Sequence, residues 1–450
     1  MHVVAIGGSD AGISAALRIR ELDPTVEVTV VVADAFPNFS ICGIPYYVSG
    51  EVTDWRRLAH RTIKDLTDTG MSVRLNTTAT GVDVDRHLLH VVDESEHGDS
   101  VSYDQLIIGT GAVSARPPIE GLVGDDALGP VDGVHLLHSM GDTFELMHTL
   151  ETLEPSSAVI VGAGYIGLEM AEGLTARGIA VTQLEQLPEV LPTVDPTLGA
   201  LVRAELIARG VVVKTNTTVK RIGRSSSGTA GRFRVDALDG DDTPITEFAD
   251  MVLVVVGVRP NTALAKAAGA ELGSGGAIAV DRQMRTNLDD VFAAGDCVVT
   301  HHRLAGLTYL PLGTTAHKQG RIAGENALGG NADFAGSLGT QVVKIFDMAA
   351  SRTGLRDHEA LAAGFDPITV EVVADDHKAY YPGSHPITMR YTGDRRSGRL
   401  LGLQLFGHRH AEIAKRIDIA AAAIFNEMTV DTVSELDLSY TPPLGSPWDA

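Results

Sequence analysis

The chain has 450 residues, enough at roughly 150 residues per domain for about three domains and a full hydrophobic core. Lys and Arg number 36 against 58 Asp and Glu, and the formal net charge of −22 repels phosphate backbones and anionic lipid surfaces, which excludes nucleic acid and membranes as expected partners. The two cysteines, Cys42 and Cys297, are too few for a disulfide scaffold or a Cys-rich zinc or iron–sulfur site, so the expectation is a reduced, cytoplasmic chain.

In chain order, the apolar run His2 to Ile6 meets the turn Gly7-Gly8-Ser9-Asp10-Ala11-Gly12, then a helical pattern from Ile13 to Glu21 and a strand from Val26 to Val32. This is a βαβ unit, with no basic n-region or small-residue cleavage site ahead of it to suggest export. Tyr103 to Thr110 reads as a buried strand ending in Thr110-Gly111, and the Pro-containing link Arg116 to Gly121 marks a domain crossover. The cycle then returns: strand Ala158 to Val161, turn Gly162-Ala163-Gly164, helix Ile166 to Arg177, strand Ala180 to Leu184. Thr193 to Gly210 reads as a helix, Gly223 to Gly231 as a Ser/Gly-rich hairpin or loop, and Met251 to Val256 and Val291 to Ala294 as apolar strands. None of the apolar runs approaches the ~18 to 20 residues of a membrane span. From about Gly329 the glycine turns no longer precede phosphate-type helices; Val342 to Ile345, Ile368 to Val373 and Leu400 to Phe406 are expected in one mixed sheet, followed by a long helix from Ala411 to Glu427. The fold class is α/β, with two Rossmann-like dinucleotide-binding domains and a differently built third domain.

A pyrophosphate can sit on a helix N-terminus only where small residues let the backbone N–H groups approach it. Gly162, Gly164 and Gly167 complete the G-x-G-x-x-G spacing, and Glu185 follows Gly162 by 23 residues at the end of the next strand. A carboxylate there accepts both ribose hydroxyls and repels a 2′-phosphate; with Gln186 and Leu187 next and no cation, NADH is favoured over NADPH. The first turn keeps Gly7, Gly8 and Gly12 but carries Ser9, and its nearest acid is Asp34. Together with Thr110-Gly111 and the segment from Thr286 through Gly295-Asp296, it forms three parts of a flavin site, so FAD is the second expected cofactor.

These residues resemble the pyridine nucleotide–disulfide oxidoreductase family over essentially the whole chain. The resemblance implies FAD-binding segments 1–115 and 250–328, an NAD(H)-binding domain 116–249 and an α+β dimerisation domain 329–450 that makes a homodimer. Val256-Gly257-Val258-Arg259-Pro260-Asn261 is the implied return from the NAD to the FAD domain. It adds Arg116, Gly313, Thr314, Tyr165, Ile166 and Gly257 to the cofactor-binding positions. Dithiol members carry a C-x4-C pair, whereas Cys42 stands alone, and Phe39-Ser40-Ile41-Cys42-Gly43-Ile44-Pro45-Tyr46-Tyr47 resembles the branch of coenzyme A-disulfide reductases, persulfide or polysulfide reductases and NADH oxidases. Tyr380-Tyr381-Pro382-Gly383 and Leu436 to Pro443 lean to the coenzyme A side, with Tyr381 and Tyr440, the latter from the partner subunit, implied at the disulfide site.

The implied reaction is FAD-dependent, NAD(P)H-linked reduction of a low-molecular-weight disulfide or persulfide through Cys42; Cys297 reads as structural. Two alternatives stay open: an NADH oxidase reducing oxygen through a Cys42 sulfenate, and a flavin-bearing redox sensor or interaction protein. At position 10, where oxygen- and peroxide-reducing relatives carry His, this chain has Asp10; Ile41 replaces an Asn and Val32 occupies the place of the family's flavin-ribose acid. His301-His302 and His408-x-His410 lack Cys or carboxylate company and read as surface imidazoles, so no metal is expected.

Overall fold

The computed structural model describes residues 1–226 and 231–446. Residues 227–230 of the Ser/Gly-rich segment lie outside the described residues. The chain divides into two compact units, one made of Met1–Ile44, Asp54–Val113 and Val258–Ser337, the other of Pro45–Thr53, Ser114–Gly257 and Leu338–Ala450.

The first unit is built on a five-stranded parallel sheet in the spatial order Val291–Ala293, Gln105–Ile108, His2–Ile6, Glu27–Val31, Ser72–Arg74. Its strands are apolar almost throughout, as a sheet covered on both faces requires, and Val3, Val4, Ala5, Val30 and Leu106 to Ile108 are inaccessible to solvent. The helix Asp10–Leu22 starts straight from the glycine turn with Ser9 extended at its N-cap, and it ends where Asp23-Pro24 removes the next donor. It packs on the helix Gly313–Ala327 at van der Waals distance, because a Cβ on Gly320 or Gly324 would overlap the carbonyl oxygen of Ala11 or Ala15. An antiparallel sheet of three strands, Thr77–Asp83, Leu88–Asp93 and Gly98–Ser102, completes the crossover of this unit.

The second unit repeats the plan with Val212–Lys214, Ala180–Leu184, Ser157–Val161, Met251–Val254 and Val134–Leu136 in parallel. Met251–Val254 therefore belongs to the second sheet, not to the first unit that begins again at residue 250 in the sequence reading; the chain returns only after Gly257. Four fully buried residues suit either parallel sheet equally, so the pattern could not choose the partner. The C-terminal strands Gln341–Ile345, Met348–Gly354, Leu400–His408, Pro386–Asp394 and Pro367–Asp375 pair only antiparallel, which corrects the mixed sheet expected there. Two-residue and five-residue connections, at Phe346-Asp347 and at 395–399, are too short for anything but hairpins. The helix Ile413–Phe425 lies across strands Met348–Gly354 and Leu400–His408.

Gly320→Ala is expected to force the two helices of the first unit apart and destabilise by about 1–3 kcal/mol. Gly98→Ala, which meets open space, is expected within about 0.5 kcal/mol of wild type. Equal melting temperatures for the two variants would refute the close-packing account.

Candidate active site and cofactor cradles

In the first unit, Gly7 has φ +110°, and a Cβ there would overlap the carbonyl oxygen of Gly109. A Cβ on Gly12 would overlap the carbonyl oxygen of Gly7, so the strand His2–Ile6, the turn and the helix Asp10–Leu22 close on one another with no side chain between them. Gly8 faces the Val32 side chain, 2.5 Å from where its Cβ would stand. The expected acid Asp34 is exposed and accepts the Phe36 N–H at 2.8 Å, while apolar Val32 occupies the strand end beside the turn. Thr110 donates its hydroxyl to the Asn261 carbonyl at 2.6 Å, and Gly111 adopts φ +65° and accepts the Asn261 N–H at 2.9 Å.

Gly295 (φ +88°) approaches Ala11, and its N–H donates to Gln319 Oε1 at 3.0 Å. Asp296 follows it, and its carboxyl is pushed up to about 6 by burial and by the Asp10 charge. Asp10 is itself raised by burial, against the pull of His60 and His317. Gly313 opens the helix Gly313–Ala327 with its Cβ position 3.1 Å from Asp10 Oδ2, and Thr314 next to it is exposed. The structure thus gathers Gly7, Gly8, Ser9, Gly12, Gly295, Asp296, Gly313 and Thr314 around the N-terminal ends of two helices, the polarity that favours a pyrophosphate. The Nε2 atom of fully buried Gln319 has no partner here, a further polar group facing inward at this cradle.

Cys42 is exposed, in the single turn Ile41–Gly43 that runs on into the helix Ile44–Ser49. Its loop is held by backbone pairing of Ser40 to Leu58 and of His60 to Asn38, and by the packed rings of Phe36, Phe39 and Trp55. Cys297 is inaccessible, 3.4 Å from the Ala294 carbonyl, with its thiol raised by burial, as a structural residue should be. His302 corrects the surface reading: it is buried, and its Nδ1 accepts the N–H groups of Leu304 and Ala305.

In the second unit, a Cβ on Gly162 (φ +105°) would lie 2.5 Å from the Val255 oxygen, and one on Gly167 would overlap the Gly162 oxygen. Gly164 caps the helix Tyr165–Ala176 and faces open space, so the N–H groups of that first turn, at Tyr165 and Ile166, are open to a phosphate. Glu185 is buried; its Oε2 accepts the Ala163 N–H at 2.7 Å and its Oε1 the Leu187 N–H at 2.8 Å, which aims the carboxylate at the turn. Gly257 has φ +103° and follows Val256, whose Cα is 3.4 Å from the Gly162 Cβ position. Arg116 donates to the Leu122 carbonyl at 3.4 Å.

Tyr381 and Tyr440, both nearly half exposed, come together around Lys378: its ammonium lies 5.7 Å over the Tyr440 ring, its N–H donates to the Pro442 carbonyl, and its carbonyl accepts the Tyr381 N–H. The His377 ring meets Tyr381 edge-on and pairs with Asp376 at 2.9 Å.

The sequence reading missed Glu169, one turn beyond Tyr165. Tyr46, four residues after Cys42, donates its hydroxyl to Glu169 Oε1 at 3.1 Å. Burial and the neighbouring Glu172 push the Glu169 carboxyl up to about 7, against Tyr46 and Lys344, while Glu172 itself pairs with Lys344 and accepts the Phe346 N–H. An acidic residue on an otherwise apolar helix stretch, Leu168 to Ala171, was the available signal.

Two parallel sheets, each delivering a glycine turn to a helix N-terminus, with one exposed thiol, define an oxidoreductase that uses two dinucleotides. The chain belongs to the pyridine nucleotide-disulphide oxidoreductase family, whose pattern matches residues 1–320, with that family's dimerisation domain over residues 340–450. A CoA-dependent NAD(P)H sulfur oxidoreductase of Pyrococcus abyssi is 34% identical over 450 residues, covering 99% of this chain and 96% of that protein. An NADH oxidase of Methanocaldococcus jannaschii is 31% identical over 456 residues, covering 99% and 95%. The solved structure of an NAD-dependent persulfide reductase from A. fulgidus superposes with a TM-score of 0.91 at 36% identity, over 100% of this chain and 81% of that one. The chain is accordingly an FAD-dependent NAD(P)H oxidoreductase, and its dimerisation domain supports a homodimer. No helix among the described residues is long and apolar enough to cross a membrane.

A carboxyl raised by the fold stabilises it fully below the ordinary value of 4.5 and loses that contribution as pH rises to about 7. Glu169→Gln, which can still accept from Tyr46, is therefore expected to melt progressively higher relative to wild type between pH 4.5 and pH 8. A melting difference that does not change over this range would contradict the burial of an ionisable proton at Glu169.

Proposed function

We propose that this protein is an NADH-preferring reductase of low-molecular-weight disulfides or persulfides, coenzyme A disulfide among them, acting through Cys42. The observation that carries the reading is the pair of thiols: Cys42 is exposed and Cys297 is sealed in the core, so one cysteine alone is available to an incoming sulfur. Its relatives named as CoA-dependent sulfur oxidoreductase and persulfide reductase support the substrate class. We assign the flavin to the cradle of Gly7, Gly12, Gly295, Asp296 and Gly313, and the nicotinamide nucleotide to the turn at Gly162, Gly164 and Gly167 with Glu185. The buried Glu185 carboxylate favours a ribose diol over a 2′-phosphate, which supports NADH.

When bound, FAD would supply the passage of two electrons from nicotinamide to sulfur. The Cys42 thiolate attacks one sulfur of the substrate, forming a Cys42–S–S–R bond and breaking the S–S bond, so that the other half leaves with one proton as a thiol; two electrons and one further proton then return Cys42 to the thiolate and free the second half as a thiol. The net change is RSSR + NADH + H⁺ → 2 RSH + NAD⁺. Tyr381 and Tyr440 of the partner subunit are assigned to the departing sulfur, with phenol hydroxyls suited to donate to it.

A second reading, oxygen reduction through a Cys42 sulfenate, is favoured by the relative named NADH oxidase. Asp10, in place of an imidazole at the head of the first helix, weighs for sulfur.

Anaerobic titration with NADH of the oxidised protein, with Cys42 carried as a mixed disulfide, is expected to take up two two-electron equivalents per FAD in wild type, one for the flavin and one for the disulfide, and one in Cys42→Ser, with a long-wavelength band in wild type only. One equivalent in both proteins would remove Cys42 from the electron path. Oxygen consumption with NADH alone, at a rate matching that with disulfide, would favour the second reading.

A further inference from the structure

The segment between Glu185 and the helix Pro196–Ala208 is closed onto the glycine turn from both sides. Glu185 takes the Ala163 N–H, and the N–H of Leu191, a fully buried residue with φ +50°, donates to the Ala163 carbonyl at 2.8 Å. The other end of the same segment is held from the C-terminal region. Arg352, in strand Met348–Gly354 and 8% exposed, donates through Nη1 to the Thr193 carbonyl at 2.7 Å. Arg356 donates through Nη1 to the carbonyls of Pro192 and Val194, at 2.8 and 3.0 Å. Gln404 accepts the Asp195 N–H at 2.6 Å, and Arg390 pairs with the Asp195 carboxylate at 3.1 Å.

Three successive carbonyls are thus taken by two guanidinium groups, whose own geometry is set by one carboxylate. Glu359 pairs with Arg352 and with Arg356 at 2.7 Å each. Burial would raise this carboxyl, but the hydrogen bonds from the two arginines outweigh it and hold it at about 2, so the clamp stays charged across the working range. An arginine fork suits this task because one planar group can hold a carbonyl and a carboxylate together.

We propose that Arg352 and Arg356, oriented by Glu359, are positioning residues for the pyridine nucleotide: the dimerisation domain holds residues 192–194, and through Leu191 fixes Ala163 in the turn that receives the pyrophosphate. The inference rests on reading Gly162 to Gly167 and Glu185 as the nucleotide site. Among the described residues neither arginine hydrogen-bonds to residues 162–167, so their removal loosens the turn without deleting a hydrogen bond to it. The effect falls on nucleotide binding and leaves the sulfur half of the reaction intact.

The test compares Arg356→Met, Glu185→Ala and the double variant, each purified with its flavin, for NADH KM, kcat at saturating NADH, flavin content and melting temperature. Arg356→Met is expected to raise KM for NADH about three- to tenfold with kcat within about twofold. Its effect should be non-additive with that of Glu185→Ala, since both act through Ala163. An unchanged KM in Arg356→Met beside a raised KM in Glu185→Ala overturns the clamp and leaves the nucleotide site standing. An unchanged KM in Glu185→Ala overturns the reading of the site and the clamp with it. A fall in kcat and flavin content at constant KM assigns Arg356 a general structural role and also overturns the proposal. Should Arg356→Met lose its flavin, Arg356→Lys keeps a cation beside Glu359 but lacks the planar fork that holds the carbonyls and the carboxylate together, and the same outcomes decide.

Discussion

Everything chemical in this protein depends on two places where a strand, a turn and a helix touch through bare backbone. At Gly7 with Gly12 and again at Gly162 with Gly167, an added Cβ would run into a carbonyl oxygen, either of the turn itself or of the neighbouring strand. That closeness brings the N-terminal turn of each helix to the carboxyl edge of its sheet, where unpaired N–H groups and the helix dipole can meet a pyrophosphate. The buried apolar strands are the rigid support behind this arrangement.

The two turns share a backbone and differ in what ends the second strand. Glu185 presents a buried carboxylate that grips its own turn through the Ala163 N–H, whereas Val32 presents a methyl pair against Gly8. On the proposed assignment, the nicotinamide nucleotide is held by its ribose hydroxyls at the strand end, while the flavin draws its polar contacts from further away in sequence, at Gly295-Asp296 and the head of the helix Gly313–Ala327. The clustering of Asp10 and Asp296 opposite His60 and His317 gives that second cradle an electrostatic character the glycine turn alone does not have. Relatives with the same frame are named as a CoA-dependent sulfur oxidoreductase and as an NADH oxidase, so the frame by itself does not name the acceptor.

Both βαβ units were legible because a period of two, a glycine turn and a period of 3.6 follow one another within about 30 residues, all local signals. Cys42 and Cys297 were told apart by their surroundings, and burial agrees with that distinction. The sheet membership of Met251–Val254 was not legible, since a continuous apolar strand carries no mark of its neighbour. The antiparallel C-terminal sheet was more accessible than it seemed: the short connections at 346–347 and 395–399 exclude parallel pairing, and connection length was the signal left unused.

What the sequence determined by itself is the local chemistry: two glycine turns with the spacing a pyrophosphate needs, a carboxylate 23 residues after Gly162, and a cysteine, Cys42, with no second cysteine near it in sequence. Each needs only residues that are neighbours along the chain, whose geometry is set by steric limits and hydrogen bonding within a few positions. Tertiary structure alone decided the pairing of Tyr46 with Glu169, the isolation of Cys297, and the reach of Arg352 and Arg356 to residues 192–194. Those contacts join segments more than 100 residues apart, and their energies come from burial and charge pairing that exist only once the chain has closed around them.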